Sequence, residues 1–176
     1  MDDFASEAGI TKPILYRHFG DKGGLYQALA ERYTRTLMAE LRATMERVTQ
    51  PRERIAATID TYLSFVEREE EAYRFLVHRA MLERPEAQTT VADFVRGVAG
   101  EVAVSMRAGL LELDLDPEGA EPWAHGIVGM VQLAGDWWMT DRSMPRERVV
   151  EYLTSLLWGG FLEMARTSRE EGTASA

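Results

Sequence analysis

The chain has 176 residues, a formal charge of −9, an apolar share of 45% and no cysteine, enough for one domain with a full core or for a small module joined to a larger one. Without cysteine, disulfide and thiolate chemistry are excluded, and a pI near 4.9 excludes general affinity for nucleic acid, so any DNA contact needs a locally basic patch. No apolar run reaches the ~20 residues of a membrane span, and Met1 is followed by Asp2 and Asp3, unlike a secretory leader; the expected location is the cytoplasm, with no membrane partner.

Glycine and proline punctuation cuts the chain into helices, with no strand alternation. Asp2–Ala8 reads as a short helix stopped by Gly9. Thr11 can N-cap a second, Lys12–His18, and Pro13 falls in its first turn, where a missing N–H loses no helical partner. Asp21 caps a third, in which Leu25, Leu29, Tyr33, Leu37, Leu41 and Met45 recur every four residues to about Thr49. Gly23 and Gly24 are expected to weaken its first turn by roughly 1 kcal/mol each. Pro51 opens a fourth helix, which ends near the acidic run Glu69 to Glu71. Ala72–Leu82, Thr90–Leu113, Pro122–Met139 and Pro145–Arg169 follow, separated by Pro85, the Asp114 to Pro117 break and the stretch before Pro145. Two short helices, one long connecting helix and five more make an all-α chain, and the short turns favour an antiparallel bundle. The expected domains are a head over 1–34, a helical bundle over 35–170 and a flexible tail over 171–176.

Both lysines of the chain, Lys12 and Lys22, lie in the head. From Thr11 to Lys22 the charges are Lys12, Arg17 and Lys22 against Asp21, a net positive window in an acidic chain. Two short helices about a glycine turn have the spacing of a helix-turn-helix. Leu15 and Phe19 should face inward with Ile10 and Phe4. Pro13 and Arg17, flanked by Ile14 and Tyr16, are then left on the open side, the division that a recognition helix needs. Lys12, Tyr16, His18 and Lys22 are in reach of phosphates, and the helix caps add backbone N–H donors.

The stretch FASEAGITKPILYRHFGDKGGLYQAL closely resembles the DNA-binding signature of the tetracycline-repressor (TetR) family of bacterial transcription regulators. The matching positions are Ala8, Gly9, Ile10, Thr11, Leu15, Tyr16, His18, Phe19 and Lys22. The resemblance covers about the first thirty residues, and the remainder agrees in helix count and order. It implies a homodimer whose recognition helices enter successive major grooves of a palindromic double-stranded DNA operator. By position Thr11, Lys12, Pro13, Ile14 and Arg17 would face bases or nearby backbone, and Tyr16, His18 and Lys22 would hold phosphates. It also implies repression relieved by an unknown small-molecule effector.

The family's head begins with a further helix ahead of Asp2–Ala8. Its absence suggests a start assigned too far downstream or a shortened chain, with Phe4, Leu15, Phe19 and Leu25 losing cover. That departure sustains an alternative: a helical dimer that binds a small apolar ligand or a protein partner without binding DNA.

In the larger domain the resemblance makes the last two helices the dimer pair, with Gly126, Gly129, Leu153, Leu157, Gly160, Phe161 and Met164 at the contact. Effector candidates are the large or polar-tipped residues on apolar faces: Tyr62, Phe65, Tyr73, His78, Met81, Phe94, Met106, Trp123, His125 and Trp137. An enzyme reading finds no zinc pair, no phosphate-cradling loop and no nucleophile elbow among these residue types, and no cofactor is expected.

Overall fold

The computed structural model describes residues 2–7, 9–74 and 85–174, with side chains over 5–7, 9–21, 23–74, 95–163 and at Arg166. The helices are α1 (Asp2–Glu7), α2 (Lys12–Phe19), α3 (Lys22–Arg47), α4 (Pro51–Arg68), α5 (Glu70–Arg74), α6 (Pro85–Glu112), α7 (Ala120–Asp141) and α8 (Arg146–Ala174), with a 3-10 turn at Pro117–Gly119 before α7. No strand occurs among the described residues.

The two short helices stop where the sequence places glycines. Gly9 and Gly20 have φ of 64° and 72°, a left-handed conformation that costs glycine nothing. Leu15, Ala5 and Leu25 are buried between α1, α2 and the start of α3, so Leu15 and Leu25 keep the cover that the sequence reading expected them to lose. Ile10 is a correction: it is 37% exposed rather than packed beneath α2. Its backbone N–H donates to the Ala5 carbonyl at 3.0 Å, so the turn is fixed through the main chain and the side chain is left outside.

The bundle is built around α4, whose Ile59, Leu63 and Val66 are buried against Tyr73 of α5, Val131, Trp138 and Met139 of α7 and Val149 of α8. Each such aliphatic side chain contributes about 1.5–3 kcal/mol by leaving water. A second cluster joins Leu37 and Leu41 of α3 to Phe65 of α4 and Val98 of α6. The Trp138 indole N–H donates to the Met144 carbonyl at 2.8 Å, which pins the α7–α8 turn.

Arg142 ends α7 at φ 49°, unusual for a residue with a side chain. Its guanidinium donates to Glu67 and Glu70, each at 2.8 Å, and lies 4.8 Å from the centre of the Trp138 ring. Those contacts offset the strain of about 1 kcal/mol.

Three boundaries differ from the sequence reading. The helix read from Thr90 begins at Pro85: the proline placed as a stop serves as a first-turn residue, where its missing N–H costs nothing. The last helix continues to Ala174 because no proline interrupts the arginine- and glutamate-rich stretch after Arg166. The piece read over Ala72–Leu82 is helical as Glu70–Arg74, and its remainder lies outside the described residues.

Candidate DNA-binding head and effector cavity

The first turn of α2 is exposed. Thr11 occupies the N-cap with φ −87° and ψ 150° and makes no side-chain cap bond. Its carbonyl accepts the Ile14 and Leu15 N–H groups at 3.0 and 3.3 Å. Its hydroxyl is therefore not consumed in closing the helix. Thr11, Lys12, Pro13, Tyr16, Arg17 and His18 are exposed and Ile14 is half-buried, so the N-cap and the eight-residue helix leave seven of the eight predicted DNA contacts out of the core. The Lys22 side chain lies outside the described residues. The buried Leu15, opposite them, anchors the helix.

The entry to α3 is tightly made. The Asp21 carboxylate accepts the Gly24 N–H at 2.9 Å, the N-cap bond expected of that aspartate. A Cβ added at Gly24 would sit 1.9 Å from the Phe19 carbonyl oxygen. Gly23 and Gly24 are expected to weaken this first turn through low helix propensity. The structure adds a steric role: the second glycine is what allows α3 to start against the end of α2.

Behind the head, α3, α4, α6, α7 and α8 enclose a cavity of about 680 Å³ with mainly apolar walls. Met38, Leu41 and Met45 of α3, Ile59 of α4, Val98 and Leu110 of α6, Val131 of α7 and Trp158 of α8 are among its lining. Of the effector candidates Tyr62, Met106 and Trp123 line it. Phe65 and Tyr73 are buried elsewhere: Phe65 meets the Tyr33 ring edge-on, centroids 4.7 Å apart, and the Tyr73 hydroxyl donates to Asp136.

His125 and Trp137 do not line the cavity and are exposed. The His125 Nδ1 lies 2.9 Å from the Glu121 carbonyl oxygen on the same helix. His78, Met81 and the Phe94 side chain lie outside the described residues.

The polar lining was not found by the sequence reading: Arg54, Thr58, Ser105, Gln132 and the carboxylates Glu46, Glu101, Glu112 and Asp116. Arg54, Thr58 and Tyr62 recur every four residues on α4, so the spacing was there to be read.

The dimer candidates divide. Gly126 and Gly160 are exposed and Gly129 is half-buried, and added Cβ atoms there would meet nothing within 4 Å. Leu153 and Leu157 pack on the chain's own α4–α7–α8 core, and Phe161 lines the cavity together with Leu157. These three face inward because the amphipathic stripe of α8 is turned towards α4. The Met164 side chain lies outside the described residues. What α7 and α8 do present outward is Leu133, Trp137, Tyr152 and Leu156, with Leu133 70% and Leu156 64% exposed.

Residues 1–29 match the model of the bacterial regulatory proteins, tetR family, and residues 40–174 match that of the tetracyclin repressor-like C-terminal domain. The chain belongs to the TetR family. An uncharacterized HTH-type transcriptional regulator of Mycobacterium tuberculosis, Rv0472c, is 36% identical over 94% of this chain and 74% of its own length. The HTH-type transcriptional activator FasR of Mycolicibacterium smegmatis is 29% identical over 95% of this chain and 75% of its own. A TetR-like transcriptional regulator from Rhodococcus sp. RHA1 shares the fold with a TM-score of 0.70 at 22% identity, over 92% of this chain and 83% of that one. This TetR-family chain is a DNA-binding transcriptional regulator and not an enzyme. Among its described residues no helix is long and apolar enough to cross a membrane.

Proposed function

We propose that the chain is an effector-responsive repressor that binds a palindromic operator as a homodimer. The observation that carries this reading is the continuity of α3. Its 26 residues span about 39 Å at 1.5 Å per residue. The first turn holds the end of the recognition helix, and Met38, Leu41 and Met45 line the cavity. A ligand that prefers one position of that wall moves the head as a lever, and it shifts the population only by its difference in affinity between the two positions.

The outward faces of α7 and α8 support the homodimer. Gly126, Gly129, Gly159 and Gly160 have no neighbour of their own chain to accommodate, and they sit on the same helices as the exposed Leu133, Trp137, Tyr152 and Leu156. Glycine there serves close approach by a second copy, which also buries the leucines. In the head, Thr11, Lys12, Pro13, Ile14 and Arg17 face the bases and adjoining backbone, and Tyr16, His18 and Lys22 hold phosphates.

A bound dimer represses by occupying its operator and needs no further surface. FasR is named an activator, so the sign is tested directly. Mobility-shift titrations of the full-length gene product on DNA flanking its own gene should give one complex of two chains per site, with a steep fall in affinity on raising salt. In vitro transcription from that DNA should decrease. An unshifted probe at moderate salt overturns DNA binding there, and increased transcription overturns repression while leaving operator binding intact.

A further inference from the structure

The cavity is chemically different at its two ends. Arg54, Thr58 and Tyr62 line one face of α4, and eight residues of helix separate Arg54 from Tyr62 by about 12 Å. Arg54 lies near the α3–α4 turn, where Glu46 also lines the wall, while Tyr62 lies at the inner end beside the core. The Thr58 hydroxyl is committed to the Arg54 carbonyl at 2.7 Å. Further along the wall, Tyr62 of α4 and Gln132 of α7 line the cavity with a hydroxyl and an amide.

Behind Tyr62 stands a second layer that does not line the cavity. The Tyr73 hydroxyl donates to the Asp136 carboxylate. It lies 3.5 Å from the Tyr62 hydroxyl, so it can offer Tyr62 only a lone pair at the limit of hydrogen bonding. Tyr62 therefore has an O–H that is weakly used, in surroundings where an unused donor is costly. Gln132 has no hydrogen bond among the described residues. Asp136 forms no ion pair among them either; its carboxylate is compensated there by the Tyr73 hydroxyl. Burial and the nearby Asp136 charge both hold Tyr62 in its neutral, donating form.

We infer that Tyr62 and Gln132 recognise one uncharged hydrogen-bonding group, such as a hydroxyl or carbonyl, on an otherwise apolar effector, and that Asp136 behind them excludes an anionic group. This rests on the reading of the cavity as the effector site. Tyr62 donates to the group, the Gln132 amide supplies a donor or an acceptor as it rotates, and the negative field of Asp136 acts across a low-dielectric gap, the Arg54 cation of the lining lying about 12 Å away along α4.

The test uses 1-decanol and decanoate at pH 8, which share an apolar body and differ in the charge of the head. Calorimetric titration of the full chain should show decanol binding roughly tenfold more tightly than decanoate. Tyr62→Phe, which keeps the ring, should reduce that preference by weakening decanol alone. Asp136→Asn, which still accepts from Tyr73, should reduce it by strengthening decanoate. Should Asp136→Asn fail to fold, Tyr62→Phe still decides. Decanoate binding as tightly as decanol, or a Tyr62→Phe chain with unchanged affinities, overturns the inference and leaves the cavity as the effector site. If neither probe binds, the cavity reading fails and the inference falls with it.

Discussion

A Cβ at Gly24 would lie 1.9 Å from the carbonyl oxygen of Phe19, so the recognition helix and the long helix meet there with no room for a side chain. The atom in the way is backbone, which cannot rotate aside. Gly24→Ala should therefore displace α2 from α3 at a cost of more than about 2 kcal/mol. Operator affinity should fall at least roughly tenfold, while the unfolding midpoint of the bundle hardly changes. An alanine variant with wild-type affinity would show that the head tolerates a shifted α3.

DNA contacts of two kinds should separate in salt titrations. Lys22→Ala is expected to weaken all sequences alike and to reduce the salt slope by about one, as loss of a phosphate clamp does. Substitution of Lys12 or Ile14, at the exposed start of α2, should alter preference among operator variants. A Lys22 variant with unchanged nonspecific affinity counts against the clamp role.

Arg146 joins α8 to α4. Its guanidinium donates to Asp60 at 2.9 Å and to Glu67 at 2.7 Å, and its side chain is 26% exposed. Arg146→Met keeps the apolar stem and removes both pairs, leaving Glu67 with Arg142 alone. Urea unfolding should show a loss of about 1–2 kcal/mol at low salt, smaller in 1 M salt because screening already weakens the pairs in the parent. A loss that does not change with salt would assign the effect to packing instead.

Much of the fold was legible because glycine, proline and a four-residue apolar period act locally. Pro13, Gly9 and Asp21 fix the head by backbone rules that need no knowledge of the rest. The misreadings arise where a neighbour decides. On α3 the period marks Leu25, Leu29, Leu37 and Leu41 alike. Leu29 is nevertheless 38% exposed, because it falls where α3 leaves the head and has not yet entered the bundle. Helix α7 is apolar on two sides, with Val131 and Trp138 inward and Leu133 and Trp137 outward, and periodicity cannot say which side holds a ligand. Arg142 ends that helix without the glycine that sequence rules look for, held by Glu67 and Glu70 from another helix. Gln132 and Arg54 line the cavity through their place on a surface that only assembly creates.

Three tyrosines should resist alkali. Burial, with the neighbouring Tyr62 and Glu69, raises Tyr33 far above the ordinary phenol value of 10.0; burial with the Asp136 charge raises Tyr62; and burial, Tyr62 and the bond to Asp136 raise Tyr73. Because the folded values exceed the unfolded one, this contribution to stability is complete below pH 10 and declines as pH rises past it, where the unfolded chain loses protons that the folded chain keeps. Ultraviolet titration at pH 11 should give the same phenolate absorbance for the parent and for Tyr33→Phe, Tyr62→Phe and Tyr73→Phe while they stay folded. Any of these variants losing one tyrosine's worth of signal would place that hydroxyl in water.

The outward glycines allow dimerisation to be tested without disturbing the protomer. A Cβ at Gly160 meets no atom within 4 Å, so Gly160→Leu should leave the chain's own fold intact and add helix propensity of up to about 1 kcal/mol. In the proposed dimer the same side chain would stand where the two backbones approach. Light scattering should then report a folded monomer in place of a dimer. Operator affinity should drop by two or more orders of magnitude, since each head would bind its half-site without the effective concentration that its partner provides. A Gly160→Leu chain that remains dimeric with full operator affinity would move the interface away from this face of α8.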